Sequence, residues 1–128
     1  MPNEKEVLLI TSSSTIDEAI EKLKPYINNM VIKMGNRGSM LVNKEKEHIL
    51  LPAFLNNEVV DSIGAGDSFN SGFIAQYVEG ASLPTCQRFG NLMGAINTTS
   101  AGGTAAFKSK EQIMRTAIEK FGQKIILK

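Results

Sequence analysis

The sequence is poor in the residues that build many small catalytic sites. It has one cysteine, Cys86, and one histidine, His48. A single cysteine excludes an intrachain disulfide and a cysteine-based zinc site. A Ser-His-Asp triad would have to use His48, which lies in a strand-like stretch. Long apolar runs are also lacking. Val7-Leu8-Leu9-Ile10 is typical of those present, and a membrane-spanning helix needs ~20 such residues. No charged-then-apolar leader opens the chain. Neither sign of charge dominates, with 14 basic and 13 acidic residues for a net charge of +1. No basic stripe points to nucleic acid or to an anionic membrane.

What is present suits a globular α/β domain in the cytoplasm. The chain has 128 residues, 42% apolar and 21% charged. A chain of that length buries roughly two-thirds of the surface its unfolded form exposes, so it needs no covalent staple. No repeat, low-complexity tract or long linker interrupts it.

The first ten residues are open to two readings. Asn3 with Glu6 forms a helix-start pattern, while Val7 to Ile10 also fits a short strand. Thr15 and Glu18 predict a capping box for a helix whose face is Ile16, Ala19, Ile20, Leu23 and Ile27, disturbed by Pro25. Three strands should follow, over Met30–Met34, Ser39–Asn43 and His48–Leu51, as a meander or hairpin on one sheet edge. Glu58 to Val60 is expected to be extended. Phe69, Phe73, Ile74, Tyr77 and Val78 mark the next helix, stopped by Gly80. Cys86, Phe89, Met93 and Ile96 mark another, opened by Ser82 and Pro84. Ser109 with Gln112 caps a last helix, with Ile113, Met114, Ala117, Ile118 and Phe121 on one face. An extended piece, Lys124 to Leu127, follows Gly122.

One segment looks chosen for more than packing: Asp61-Ser62-Ile63-Gly64-Ala65-Gly66-Asp67-Ser68-Phe69. Three small residues precede a carboxylate at the start of an amphipathic helix. The first N–H groups of a helix lack internal partners and carry the positive end of its dipole. Small residues there let an anion approach closely. A glycine pair serving turn geometry alone, with Asp67 merely favourable in a first helical turn, is the competing reading. Two familiar phosphate loops are excluded. No Gly-x4-Gly-Lys-Ser/Thr run exists, and Phe69 stands where Gly-x-Gly-x-x-Gly needs its third glycine.

Asp61 to Phe73 (DSIGAGDSFNSGF) resembles the C-terminal signature of the ribokinase, or phosphofructokinase-B, family of carbohydrate kinases. Pro2-Asn3-Glu4 resembles that family's Asn-Glu segment. Lys33 to Gly38 (KMGNRG) resembles its T-L-G-x-x-G turn, with Lys33 where threonine is usual. Arg88 to Asn91 and Asn97 to Gly103 resemble its adenine and cation loops.

The resemblance implies a C-terminal portion of a three-layer α/β/α ribokinase-like fold, spanning 1–128 as one partial domain. It implies phosphorylation of a sugar hydroxyl with ATP and Mg²⁺. Asp67 then takes the proton of the acceptor hydroxyl, and Gly64, Ala65 and Gly66 form the anion hole. Asn3, Lys33, Gly35, Arg37, Gly38, Gly66 and Asn91 fall on the nucleotide. Asp61, Ile63, Asn97, Ser100, Gly102 and Ala106 surround a monovalent cation, potassium, largely through backbone oxygens; Ala106 can offer only its carbonyl. The family's sugar-binding half, lid and first parallel strands are not matched. The chain is therefore expected to be inactive alone and to self-associate or pair with the missing half. Two other readings stay open: a non-catalytic assembly fragment, and a kinase of a nucleoside or vitamin-like alcohol.

Overall fold

Asn3 decides the ambiguous start in favour of a helix. Its Oδ1 accepts the Glu6 N–H at 2.8 Å, and the Glu6 carboxylate accepts the Asn3 N–H at 2.9 Å. Two of the orphan donors at the start of helix α1 (Glu4–Thr11) are thereby satisfied reciprocally. Ser12, in the left-handed region, ends it.

The computed structural model describes residues 1–56 and 58–127, which fall into two compact units, Met1–Pro52 and Ala53–Lys128. In the first unit, Thr15 caps helix α2 (Ile16–Leu23) by accepting the Glu18 N–H. The expected reciprocal bond is displaced by one residue: Glu18 accepts the N–H of Ser14. Pro25 converts the chain after Leu23 into a short 3-10 turn, Lys24–Tyr26, which leaves Ile27 outside the helix. Strands β1 (Met30–Lys33), β2 (Ser39–Val42) and β3 (His48–Leu51) form an antiparallel meander in that order. The second strand stops at Val42, because the Asn43 side chain turns to Glu47 at the tip. The core of the unit is Val7, Ala19, Ile20, Met30, Ile32 and Val42. Burying the valine, isoleucine and methionine side chains among them stabilises by about 1.5–3 kcal/mol each. A single parallel bridge joins Asn3 to Lys33, whose N–H donates to the Pro2 carbonyl at 2.9 Å.

The second unit is helical in its regular structure: α3 (Ala65–Val78), α4 (Leu83–Asn97) and α5 (Lys110–Phe121), with a 3-10 turn at Ala105–Phe107. Ser82 and Ser109 cap α4 and α5. Gln112 again reaches one residue further back than a capping box requires, to the Lys108 N–H. Glu58–Val60 and Lys124–Leu127 are not strands; the Val60 N–H is tied to the Thr98 carbonyl at 2.9 Å.

The buried face of α3 differs from the expected stripe. Phe69, Gly72 and Phe73 are buried, whereas Ile74, Tyr77 and Val78 are 53%, 61% and 78% exposed. The reason is the close approach of α4. A Cβ at Gly72 would lie 2.6 Å from Met93 Cγ, and one at Gly90 would lie 2.9 Å from the Phe69 ring. The helices therefore meet on their glycines, which turns the large residues of the last turn outward. Leu92, Met93, Ile96, Ala106 and Ala117 form the second core. Cys86 is fully buried on α4, and burial pushes its thiol pKa up. His48 is an exposed residue of β3. No helix among the described residues is long and apolar enough to cross a membrane.

Candidate functional site

Asp61 organises the loop that leads into α3. Its Oδ1 accepts the Ile63 N–H at 2.9 Å, and its Oδ2 accepts the Gly102 N–H at 3.0 Å. These backbone donors, Ile63 first, hold its carboxyl below the ordinary aspartate range. One side chain thus fastens two segments that are far apart in sequence.

Gly64 is the N-cap of α3, at φ 80° and ψ 0°. That left-handed conformation suits glycine. A Cβ there would lie 3.3 Å from Gly103 Cα and 3.5 Å from Asn97 Oδ1. Gly103 is also left-handed, and a Cβ on it would lie 3.2 Å from the Ile63 carbonyl oxygen. The two glycines are back to back, and a side chain on either would be strained at its positive φ and press tightly on the other segment.

Having no side chain, Gly64 cannot cap α3. Ser62, Ala65 and Asp67 supply the rest of the turn: the Ala65 N–H donates to the Ser62 carbonyl at 3.2 Å, and Asp67 is the acidic residue of the first helical turn. Gly66 and Asp67 are exposed there. The first turn thus carries the positive end of the helix dipole, gets no cap from the side chain of its N-cap residue, and holds one carboxylate.

A cleft of about 1060 Å³ opens beside this turn. Ile63, Gly64, Asp67 and Ser68 are among its lining residues. Gly102, Gly103 and Thr104 border it, and Phe89, Met93, Phe107 and Ile113 supply an apolar wall, with Lys110 at the start of α5. The arrangement can seat a flat apolar group against the wall and an anionic group near the helix start. Asn97 lies beneath: its Nδ2 donates to the Ile63 carbonyl at 2.6 Å, and its Oδ1 accepts the Ser68 hydroxyl at 2.9 Å.

The sequence-predicted residues divide among several places. Asp61, Ile63, Gly64, Asn97 and Gly102 are brought together. Ser100 is half-buried in the turn after α4. Ala106 is 2% exposed among Leu92, Met93, Ile96 and Ala117. Asn91 is 6% exposed within α4 and does not line the cleft. In the first unit, Asn3, Lys33, Gly35, Arg37 and Gly38 lie around the end of β1. The Asn3 oxygen is engaged in its cap. The Arg37 guanidinium pairs with the Glu4 carboxylate, and Met34 and Gly35 close the turn by hydrogen bonds with Gly38. Sequence reading missed Thr104, Phe107 and Lys110 as cleft residues, and missed the Ser68 and Asn97 side chains. The glycine pair at 102–103 marks that a special loop lies there, but names none of its neighbours.

The described residues contain no group of three or more His, Cys, Asp or Glu side chains able to hold a metal ion. The Asp61 carboxylate and the Ile63 carbonyl are oxygen donors of the type a hard monovalent cation takes. Asp67, exposed in the first turn of α3, is a lone carboxylate there, the kind of group that holds Mg²⁺ only together with ligands from a substrate.

Comparison with known proteins bears on most of the chain. Residues 1–110 match the model of the pfkB family carbohydrate kinases. Ribokinase of Bacillus subtilis is 31% identical over 112 residues, which span 88% of this chain and 36% of that protein. A structure of Arabidopsis thaliana ribokinase complexed with ribose and ATP matches at TM-score 0.78 and 27% identity, covering 89% of this chain and 38% of that one. Adenosine kinase of Sinorhizobium meliloti matches at TM-score 0.74 and 30% identity, covering 80% and 31%. The chain spans little more than a third of the length of the curated relatives it matches. With the family model covering most of the chain and a ribokinase-like α/β fold shared with these structures, the chain belongs to the pfkB family of carbohydrate kinases.

Proposed function

We propose that this chain carries the phosphoryl-transfer end of a kinase that moves the terminal phosphoryl group of ATP to a sugar hydroxyl. The observation that carries the proposal is the uncapped, left-handed Gly64 start of α3 with Asp67 in its first turn, at the edge of the apolar-walled cleft. Gly64, Ala65 and Gly66 face the transferring group, whose transition state is loose and needs charge offset more than covalent help. Asp67 orients the acceptor hydroxyl and accepts its proton. Phe89, Met93, Phe107 and Ile113 form the wall for the flat base. Mg²⁺, when bound, neutralises charge on the phosphates. Potassium suits the oxygens around Asp61, Ile63, Asn97 and Gly102 and would hold that loop rigid. Asn3, Lys33, Gly35, Arg37 and Gly38 are assigned to the nucleotide on the family resemblance, as is Asn91.

The family resemblance assigns the acceptor pocket to the part of the relatives that this chain does not span, so the isolated chain is expected to bind nucleotide without turning over a sugar. A nucleoside acceptor is the second reading, supported by the 30% identity to an adenosine kinase. The test is calorimetric titration of the chain with a non-hydrolysable ATP analogue and magnesium, with and without potassium. Saturable binding that Gly64→Val and Gly66→Val abolish is expected. No binding by a demonstrably folded chain would remove the nucleotide assignment from it. Robust phosphorylation of ribose or fructose by the chain alone would overturn the expectation of inactivity. Comparing sugar and nucleoside acceptors on a longer protein that contains this segment separates the two readings.

A further inference from the structure

Asn97 is the last residue of α4 and is 1% exposed. A buried carboxamide is costly unless both its ends are hydrogen-bonded. The neighbouring Thr98 and Thr99 answer the same demand locally, donating to the Ala95 and Ile96 carbonyls of their own helix at 2.6 and 2.7 Å. Asn97 instead reaches across with both ends. Nδ2 holds the Ile63 carbonyl at 2.6 Å, just before the left-handed Gly64, and Oδ1 holds the Ser68 hydroxyl at 2.9 Å, in the first turn after it. The two bonds straddle the chain reversal over residues 63–68. The amide also lies under Gly64, where a Cβ would be 3.5 Å from its oxygen.

We propose that Asn97 is a positioning residue, whose side-chain amide sets the direction of the backbone N–H groups of residues 64–66 through Ile63 and Ser68. Its value to catalysis rests on the phosphoryl-transfer reading above. The sequence resemblance gave Asn97 a backbone role toward a cation, whereas the geometry gives its side chain a separate task. That task needs one donor and one acceptor at a fixed spacing. Aspartate would keep the bond from Ser68 but set a second negative oxygen against the Ile63 carbonyl. Leucine keeps the volume and loses both bonds. Misplacement of a reacting group by about 1 Å costs on the order of 10²-fold in rate, so an amide at this place governs activity without touching substrate.

The experiment has two arms, each on the full chain. Amide NMR of Asn97→Leu, Asn97→Asp and Ser68→Ala reads the Gly64 and Gly66 resonances without any nucleotide. Calorimetry then reads binding of the ATP analogue with magnesium. Asn97→Leu and Asn97→Asp are expected to displace both glycine resonances and to weaken the analogue about tenfold, which corresponds to the loss of about one net hydrogen bond. Ser68→Ala should do the same to a smaller degree with unchanged overall helicity. Unmoved glycine resonances in Ser68→Ala, or in a folded Asn97 variant, overturn the proposal. So does wild-type affinity in a folded Asn97→Leu. If the wild-type chain binds no analogue, the nucleotide reading fails, and the resonances alone decide the role of Asn97.

Discussion

Replacing Gly72 with alanine sets helix propensity against steric contact, and the structure says which wins. Gly72 lies in the interior of α3, where alanine is favoured over glycine by about 1 kcal/mol. Its added Cβ would lie 2.6 Å from Met93 Cγ, 3.0 Å from Met93 Cβ and 3.2 Å from the Phe89 carbonyl oxygen. Met93 Cγ could swing away, but its Cβ and the Phe89 carbonyl belong to α4 itself, so the helices must part. Overpacking of a core costs about 1–3 kcal/mol, and three contacts this close put Gly72 at the upper end. The net expectation is destabilisation by about 1–2 kcal/mol. With a urea slope of about 2 kcal/mol per molar, the middle of the usual range, the midpoint should fall by roughly 0.5–1 M. Far-UV circular dichroism, weighted toward the helical second unit, reads the transition. Gly94→Ala is the control: its nearest contact is the Ala65 carbonyl oxygen at 3.3 Å, so gain and cost should nearly cancel. A Gly72→Ala chain as stable as wild type, or more so, would refute the close approach of α3 and α4 and with it the account of why Tyr77 and Val78 face outward.

Four shorter tests probe other links. Gly103→Ala places a Cβ 3.2 Å from the Ile63 carbonyl at φ 80°, so it should loosen residues 61–64, read as faster exchange of the Ile63 amide hydrogen. Because Asp61 titrates below its ordinary value when folded, its contribution is fully present above about pH 4 and is lost as pH falls through the lowered value. Gly102 amide protection should decline there, and Asp61→Asn should abolish that pH dependence. In a longer protein containing this segment, Asp67→Asn should lower the rate of phosphoryl transfer by roughly 10²–10⁴, with nucleotide affinity retained. Arg37→Ala breaks an ion pair with Glu4 that is partly exposed, so the first unit should lose less than about 1 kcal/mol, and less still in high salt.

The legible parts of this chain are those decided within a few residues. Asn3, Thr15, Ser82 and Ser109 each bond a backbone N–H three positions on, so helix starts can be read from local pattern. The meander can be read for the same reason, since its strands are joined by tight turns. The face of α3 was legible only in part, at Phe69 and Phe73. A stripe of large apolar residues names Ile74, Tyr77 and Val78, but a helix pair in close contact is buried around its smallest residues, here Gly72 and Gly90. The site shows the same division. Gly64-Ala65-Gly66-Asp67 is contiguous and stands out. The Phe107 and Lys110 side of the cleft, and the Asn97 bonds to residues 34 and 29 positions away, exist only after the chain folds.

That division has a consequence for how the site keeps its shape. Its conspicuous residues are small or exposed, and none of Gly64, Ala65 and Gly66 has a side chain long enough to fix its own conformation. What fixes them comes from elsewhere: the Asp61 carboxylate on the Gly102 N–H, the Gly64–Gly103 contact, and the Asn97 amide under both. All three constraints end on α4 or on the loop that follows it. The packing of α3 on α4 therefore sets the geometry of the loop as well as the stability of the unit. If so, Gly72→Ala should displace the Gly64 and Gly66 amide resonances although it lies two turns along the helix from them. A chain in which Gly72→Ala lowers stability while those resonances stay in place would show instead that the loop is held by its own three constraints, independently of how α3 sits on α4.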